Sequence, residues 1–382
     1  MRVINSIADL RELARRRVPR AIFEYADRGS YDELTIRRNR ADLDAIALRP
    51  RVMVDVSKIV TATTLVGQSS ALPLAIAPTG LTGLFYRDGE LCGARAAAAA
   101  GIPFCLSTVA IGSIEDVRAA SKAPFWFQLY LMRDRAFNEE LIGRAMVAHC
   151  PVLVLTLDLQ VQGLRRRDAK NGLSVPPRLS FRNLLNVATK PGWALGMLRA
   201  KRRTFGNLEG RLGSSKGLKT LSAWINEQFD PAASWQDAAW VRARWPGKLV
   251  LKGVMAADDA RRAVDIGADA VVVSNHGGRQ LDGAASSISV LPHIVDALKG
   301  RCEVLFDGGV MSGIDVLKAL AFGARGCLIG KAFLYSLAAC GQAGVSLGVE
   351  IIRSELAVSM ALAGVTDVQK VDRSSLWLPQ EI

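Results

Sequence analysis

Eight short apolar runs recur along this chain, and each stops at a polar residue or a glycine. They cover residues 74–79, 102–107, 126–130, 152–158, 248–252, 270–274, 304–307 and 326–330. Their length and β-branched content mark them as buried strands. Helical patterns separate most of them, at 90–100, 114–120, 134–148, 257–266 and 314–322, and a last helical stretch runs from Ala332 to about Ala363. Eight strands alternating with helices predict an α/β fold, a (β/α)8 TIM barrel. A doubly wound open sheet is the rival. That class carries its nucleotide on a GxGxxG turn after the first strand, and none is present.

A barrel does its chemistry at the C-terminal face, where the strand ends converge. Those ends carry Thr79, Ser107, Gln128 with Tyr130, Thr156 with Asp158, Lys252, Ser274 with His276, Asp307, and Lys331. One polar end is punctuation; eight together line a pocket. The sixth is the densest, because Ser274-Asn-His-Gly-Gly-Arg-Gln-Leu-Asp-Gly283 sets an imidazole and a guanidinium three residues apart across two glycines. A lone histidine is commonly a hydrogen-bonded core residue. Here His276 has the partners of a base: Asp158 to hold its imidazolium, and Arg279 with a second arginine to clamp a carboxylate. Lys252 places positive charge where negative charge builds on a cofactor. Glycines at Asp307-Gly308-Gly309 and Gly330-Lys331 follow the seventh and eighth strands, where barrels bind phosphate through backbone N–H groups. Tight turns explain those glycines equally well. The set has no carboxylate–histidine cluster suited to a metal and no GxSxG nucleophile.

The six cysteines are scattered without CxxC spacing, which predicts reduced thiols and a cytoplasmic setting. Residues 6–27 read as a helix broken at Pro19, with a short aromatic turn at 22–25 and irregular chain from there to Val60. This start lacks the apolar core of a signal peptide, and no uninterrupted apolar stretch approaches a membrane span. The net charge of +13 is concentrated: residues 178–219, between the fourth and fifth strands, hold ten Lys or Arg and one acid, Glu209, for a local +9. Trp193 and several leucines and phenylalanines are interleaved, the pattern of an interfacial membrane segment. A basic lid over the pocket is the competing reading. No nucleic-acid partner is expected, because the barrel already accounts for the chain.

Taken together, the motifs resemble those of the FMN-dependent L-2-hydroxy acid dehydrogenases and oxidases, whose members include membrane-associated L-lactate and (S)-mandelate dehydrogenases. The similarity runs end to end, through Asp32-Glu33, Asn39, Arg49-Pro-Arg51, Asp55-Val-Ser57, Ala77-Pro-Thr-Gly80, Leu106-Ser-Thr108, Trp126-Phe-Gln-Leu-Tyr130, Leu155-Thr-Leu-Asp158, Leu251-Lys-Gly253, the His276 loop and Asp307-Gly-Gly309. The resemblance implies one catalytic domain over 1–382, with 178–219 as an insertion within it. It implies His276 as base with Asp158 behind it, Arg165 and Arg279 on the substrate carboxylate, and Tyr25 and Tyr130 hydrogen-bonded to substrate. FMN would rest on Pro78, Thr79, Gly80, Ser107, Gln128, Thr156, Lys252 and Ser274, with Asp307, Gly308, Gly309, Gly330 and Lys331 at its ribityl–phosphate end.

The same resemblance implies oxidation of a small 2-hydroxy acid, lactate first, with electrons passed to a quinone. It also implies a homo-oligomer, a tetramer, attached peripherally to the inner face of the cell membrane. A peroxide-forming soluble oxidase, a mandelate dehydrogenase and a cofactor-less anion-binding barrel are the alternatives. Several positions depart from the family pattern. Met311 and Lys331 stand where arginines are usual, leaving the cofactor phosphate more weakly held or held by another donor. Gln162 either bonds a polar substrate tail or faces water. Val109 replaces a bulky residue of glycolate oxidases, which predicts room for a substrate larger than glycolate, and Gly80 stands where oxidases carry alanine.

Overall fold

The computed structural model describes residues 3–172, 174–175, 181–209, 219–220 and 227–377. Its centre is a parallel sheet of eight strands: β1 (Leu74–Ile76), β2 (Cys105–Ser107), β3 (Trp126–Tyr130), β4 (Val152–Thr156), β5 (Lys248–Val254), β6 (Ala270–Val273), β7 (Glu303–Phe306) and β8 (Gly326–Ile329). The spatial order is β1-β8-β7-β6-β5-β4-β3-β2. A parallel bridge between Ile76 and Phe104 joins β1 to β2 and closes the ring. This is the predicted (β/α)8 barrel.

The strands are largely apolar, and their residues divide by twos. Val152 and Val154 meet Val250, Val272, Ala75, Leu305 and Leu328 in one cluster, the barrel interior. Leu153 and Leu155 belong to the larger cluster between sheet and helices. Leu65 and Val66, in the hairpin of Thr63–Leu65 and Gln68–Ser70, close the interior from below. The interior phase, continued upward, passes through Thr156 and Lys252, which are register partners. Carried on along the other strands, it reaches Ser107, Gln128 and Ser274. Side-chain alternation along a strand thus aims the polar strand ends at one another.

Helices cover the outside at Gly89–Ala100, Ile114–Ala120, Arg135–Val147, Trp235–Arg244, Ala257–Asp265, Ser287–Leu298, Gly313–Ala321 and Lys331–Leu362. The last is long and apolar enough to cross a membrane, contrary to the expectation from sequence. However, 72% of its apolar window is buried against the barrel, and the chain kinks at Cys340–Gly341. It is a core helix. All six cysteines are free.

The N-terminal segment departs further from expectation. Ser6 caps Ile7–Arg17, and Pro19 opens a second helix, Arg20–Asp27, so residues 22–25 are helical rather than a turn. Leu34–Ala45 is also a helix, inside what reads as irregular chain. Its buried stripe is Thr35, Asn39 and Leu43, and a stripe that is mostly polar is invisible to apolar periodicity. Ser287–Leu298 is hidden in the sequence by Pro292 at its middle.

Of the basic insertion, Phe181–Ala188 and Pro191–Leu198 are helices; residues 178–180 and 210–218 lie outside the described residues. The insertion is not a uniform basic face. Lys201 and Arg202 both clamp Asp116, near the start of Ile114–Ala120, and Arg202 also pairs with Glu209. Phe205 and Leu208 are buried in the core. Asn207 accepts from Ile114 N at 2.9 Å and donates to the carbonyls of Ser107 and Thr108. Among its described residues, the large apolar side chains left in solvent are Leu184, Leu185, Leu195 and Leu198.

Candidate active site

A cavity of about 390 Å³ opens at the C-terminal mouth of the barrel. Tyr25, Pro78, Thr79, Gly80, Tyr130, Arg165, Lys252, His276, Arg279, Asp307, Gly308, Gly309, Gly330 and Lys331 all line it. Ser107, Gln128 and Ser274 do not reach the wall and lie buried one layer below. Thr156 and Asp158 face a second cavity, of about 330 Å³, behind the first.

His276 Nδ1 stands 3.0 Å from Asp158 Oδ1. Burial pushes the Asp158 carboxyl up, and the adjacent His276 and Lys252 pull it net below its ordinary value. Asp158 is therefore the charged partner that orients the ring. His276 has a left-handed backbone, φ +58°, and its N–H donates to Ser274 Oγ. A non-glycine residue held there is strained by roughly 1 kcal/mol or more, and such strain is characteristic of functional positions.

The arginine run 165–167 splits as the family pattern implies. Arg165 is buried, whereas Arg166 and Arg167 are exposed and Arg166 pairs with Asp32. Arg165 and Arg279 both lie over the Tyr25 ring, at 5.9 and 4.7 Å from its centroid. Arg279 donates to the carbonyls of Tyr25 and Arg28. Burial and the neighbouring Arg165 hold its guanidinium below the ordinary value. Two guanidiniums with no ion pair to a carboxylate among the described residues make an anion site. Gly163 allows this closeness, since a Cβ there would meet Arg279 O and Gln280 O at 2.7 Å. Tyr130 stacks on Phe229 at 4.8 Å, and burial pushes its phenol up, so it stays protonated and able to donate.

On the opposite wall, Lys252 Nζ lies 2.7 Å from both Ser274 Oγ and Asp307 Oδ2. Burial draws its ammonium down, but Asp307 and Asp158 reverse that and hold it above the usual lysine range. Several buried polar atoms around this mouth have no partner in the protein: Gln128 Nε2, Thr156 Oγ1 and Asp307 Oδ1. Ser107 donates to Gln128 Oε1, which leaves the amide N–H₂ pointing at nothing. Buried groups of this kind are rare without a ligand or ordered water to satisfy them. A flat heterocycle edged with donors and acceptors supplies such partners, and the residues present fit FMN.

The end of the cavity expected to take the phosphate offers other donors in place of the two missing arginines. Met311 lines the cavity there, and the cations around it come from the N-terminal helices, as Arg11, Arg28 and Arg40. Arg40 bonds Gly309 O and Asp315. Lys331 donates to Asp27 O at 3.1 Å, and burial, helped by Arg279, lowers its ammonium to about 7. Asp27 also takes Arg11 and the Tyr335 hydroxyl. Tyr335 is four residues beyond Lys331 on one helix and was within reach of helical spacing. Arg11 and Phe229 had no local signal. Gln162 is buried, so it does not face water, and it is not among the residues lining the cavity.

A model of FMN-dependent dehydrogenases matches residues 14–378. The chain is 51% identical over 376 residues to an L-lactate dehydrogenase of Caulobacter vibrioides strain NA1000, covering 98% of each. Its structure is similar to that of the monotopic membrane protein (S)-mandelate dehydrogenase, with TM-score 0.92 and 35% identity over 98% of this chain and 100% of the other. It is similar also to a mandelate oxidase, with TM-score 0.84 and 38% identity over 98% of each. A family match across nearly the whole chain, on a barrel whose mouth presents a His–Asp pair and two guanidiniums without a carboxylate partner among the described residues, places this protein among the FMN-dependent dehydrogenases that oxidise L-2-hydroxy acids.

Proposed function

We propose that the protein oxidises L-lactate to the 2-oxo acid and passes the electrons to a quinone at the inner face of the cell membrane. The observation that carries the reading is the juxtaposition in one cavity of His276, backed by Asp158 at 3.0 Å, with Arg165 and Arg279. The relative at 51% identity, an L-lactate dehydrogenase, names the first substrate to try.

The chain's residues divide the work. Arg165 and Arg279 bind the substrate carboxylate and fix the α-carbon; Tyr25 and Tyr130 hydrogen-bond the substrate's oxygens. His276 takes a proton from the substrate, and Asp158 stabilises the imidazolium that results. FMN, when bound, accepts the two electrons withdrawn from the α-carbon. Pro78, Thr79, Gly80, Ser107, Gln128, Thr156 and Ser274 would hold its ring, and Asp307, Gly308, Gly309, Gly330 and Lys331 its ribityl–phosphate end. Lys252 would supply a buried positive charge to the flavin site, where negative charge builds up. Residues 1–382 act as one catalytic unit, and 178–219 carries the membrane contact. Anaerobic bleaching of the flavin across L- and D-2-hydroxy acids tests the reading, and no bleaching by any L-acid defeats it. Stoichiometric peroxide in air would replace the quinone by oxygen.

A mandelate-type substrate is the second reading. It is favoured by the apolar wall of Val109, Leu159 and Phe229 and by the similarity to mandelate dehydrogenase. Gly80 belongs to this wall, because a Cβ there would meet Val109 Cγ2 at 2.9 Å. The same acid panel separates the two readings. For the membrane contact, serine at Leu184, Leu185, Leu195 and Leu198 should free the enzyme from membranes while sparing turnover with a soluble dye. Deleting all of 178–219 is a poorer test, because it removes the buried Asn207.

A further inference from the structure

A groove of about 520 Å³ runs between the N-terminal helix, the segment following Leu84, and the insertion helix Pro191–Leu198. Its walls are mixed in a particular way. Phe85, Trp193, Leu195 and Met197 give it an apolar floor, while among the described residues its charged lining is Arg16, Arg17, Arg87, Lys190 and Arg199, all cations. Arg16 is neutralised by Glu12. No ion pair ties Arg17, Arg87, Lys190 or Arg199 to a carboxylate among the described residues. Trp193 is fixed by its Nε1–H to Leu84 O at 2.7 Å, so the wall is built rather than incidental. The groove opens beside exposed Leu195 and Leu198, the surface assigned above to the membrane.

Arg17 and Lys190 donate to the carbonyls of Ala339 and Arg16, which leaves their charge unbalanced; a row of cations without counter-charge over an apolar slot matches a molecule with an anionic head and a hydrocarbon tail. We propose that the groove binds one anionic phospholipid. Its phosphate is held by Arg17, Arg87, Lys190 and Arg199, and an acyl chain lies against Phe85 and Trp193. A neutral quinone uses the apolar floor but gives the four cations no counter-anion, which is why the lipid is preferred. Phe85 also packs against Tyr25, ring centroids 6.3 Å apart, so the bound lipid lies one side chain away from the substrate cavity.

The inference rests on the membrane reading, and the experiment separates their failures. Flavin-loaded wild type, Arg87→Gln/Arg199→Gln and Gly192→Leu are floated with vesicles of phosphatidylcholine, alone or doped with phosphatidylglycerol. Native mass spectrometry then looks for co-purified phospholipid. Gly192 lines the groove with open space around its Cβ position, so leucine there adds bulk at the wall without removing a charge. The expected result is a phospholipid mass on wild type that both variants lose. On phosphatidylglycerol vesicles the arginine pair should bind roughly 30-fold more weakly, at about 1 kcal/mol per cation, and bind phosphatidylcholine as wild type does. Wild type that floats with neither vesicle overturns the membrane reading and the groove with it. Wild type that binds phosphatidylglycerol, with both variants equal to it and no lipid retained, overturns the groove alone. Displacement of the lipid by a short-chain quinone, but not by phosphatidylglycerol, assigns the groove to the acceptor and overturns the lipid.

Discussion

The two ends of the cofactor cavity are built by different means. The reacting end is made of strand ends: Lys252, Ser274, Thr156 and Gln128 are set by the register of a closed sheet, and His276 follows two residues beyond Ser274. The end proposed to take the phosphate is made of loops and N-terminal segments, with Arg11, Arg28 and Arg40 brought in from far along the chain. A sheet positions side chains to a fraction of an ångström through its ladder. A helix docked on a loop leaves room for substitution, and the replaced positions, Met311 and Lys331, lie at that end. The comparison predicts that the reacting end fails abruptly and the phosphate end by degrees.

The largest break is His276→Asn, which fits a left-handed backbone better than alanine does. Flavin reduction by substrate should slow by about 10²–10⁴-fold with the protein still yellow; anaerobic stopped-flow absorbance measures it, and retained reduction removes the histidine from the role of base. Next comes Arg165→Met. Losing a charge-assisted bond of about 1.5–3 kcal/mol should raise KM by roughly 10–100-fold and leave FMN affinity unchanged in a fluorescence titration. At the other end, Lys331→Gln should weaken FMN by about tenfold without altering riboflavin, which lacks the phosphate, and Met311→Arg should strengthen FMN several-fold. Equal effects on both flavins would mean that neither side chain meets phosphate.

The smallest effect is that of pH. With its ammonium lowered to about 7, Lys331 is largely neutral above that pH in the ligand-free protein. An unfolded lysine stays protonated to about 10.4. Between those limits the unfolded chain binds the extra proton, so this group makes ligand-free stability rise with pH. A bound phosphate restores the charge, so FMN affinity should fall as pH climbs from 7 to 9, and Lys331→Arg should flatten that slope.

The barrel and its reacting end were legible because period-two alternation and polar strand ends are local signals. The helix Leu34–Ala45 was not, since its buried face is Thr35 and Asn39 and serves the site: Asn39 and Asn275 exchange amide bonds at 2.8 and 2.7 Å. The charge of the insertion was legible, but not its partition. That Lys201 and Arg202 are spent on Asp116 depends on contacts some 85 residues apart. Which of three consecutive arginines turns inward likewise needed the loop packed on Arg279.

The left-handed backbone at His276 has a consequence for how a copy of this protein would decay. In a duplicate relieved of catalysis, asparagine or glycine at 276 eases the strain at once, so that position should drift first and towards those two residues. Asp158 would then be a buried carboxylate without its imidazole, a burden on folding, and its loss should follow. A barrel of this kind with Asn or Gly at 276 and an uncharged residue at 158 would mark a retired enzyme that still folds.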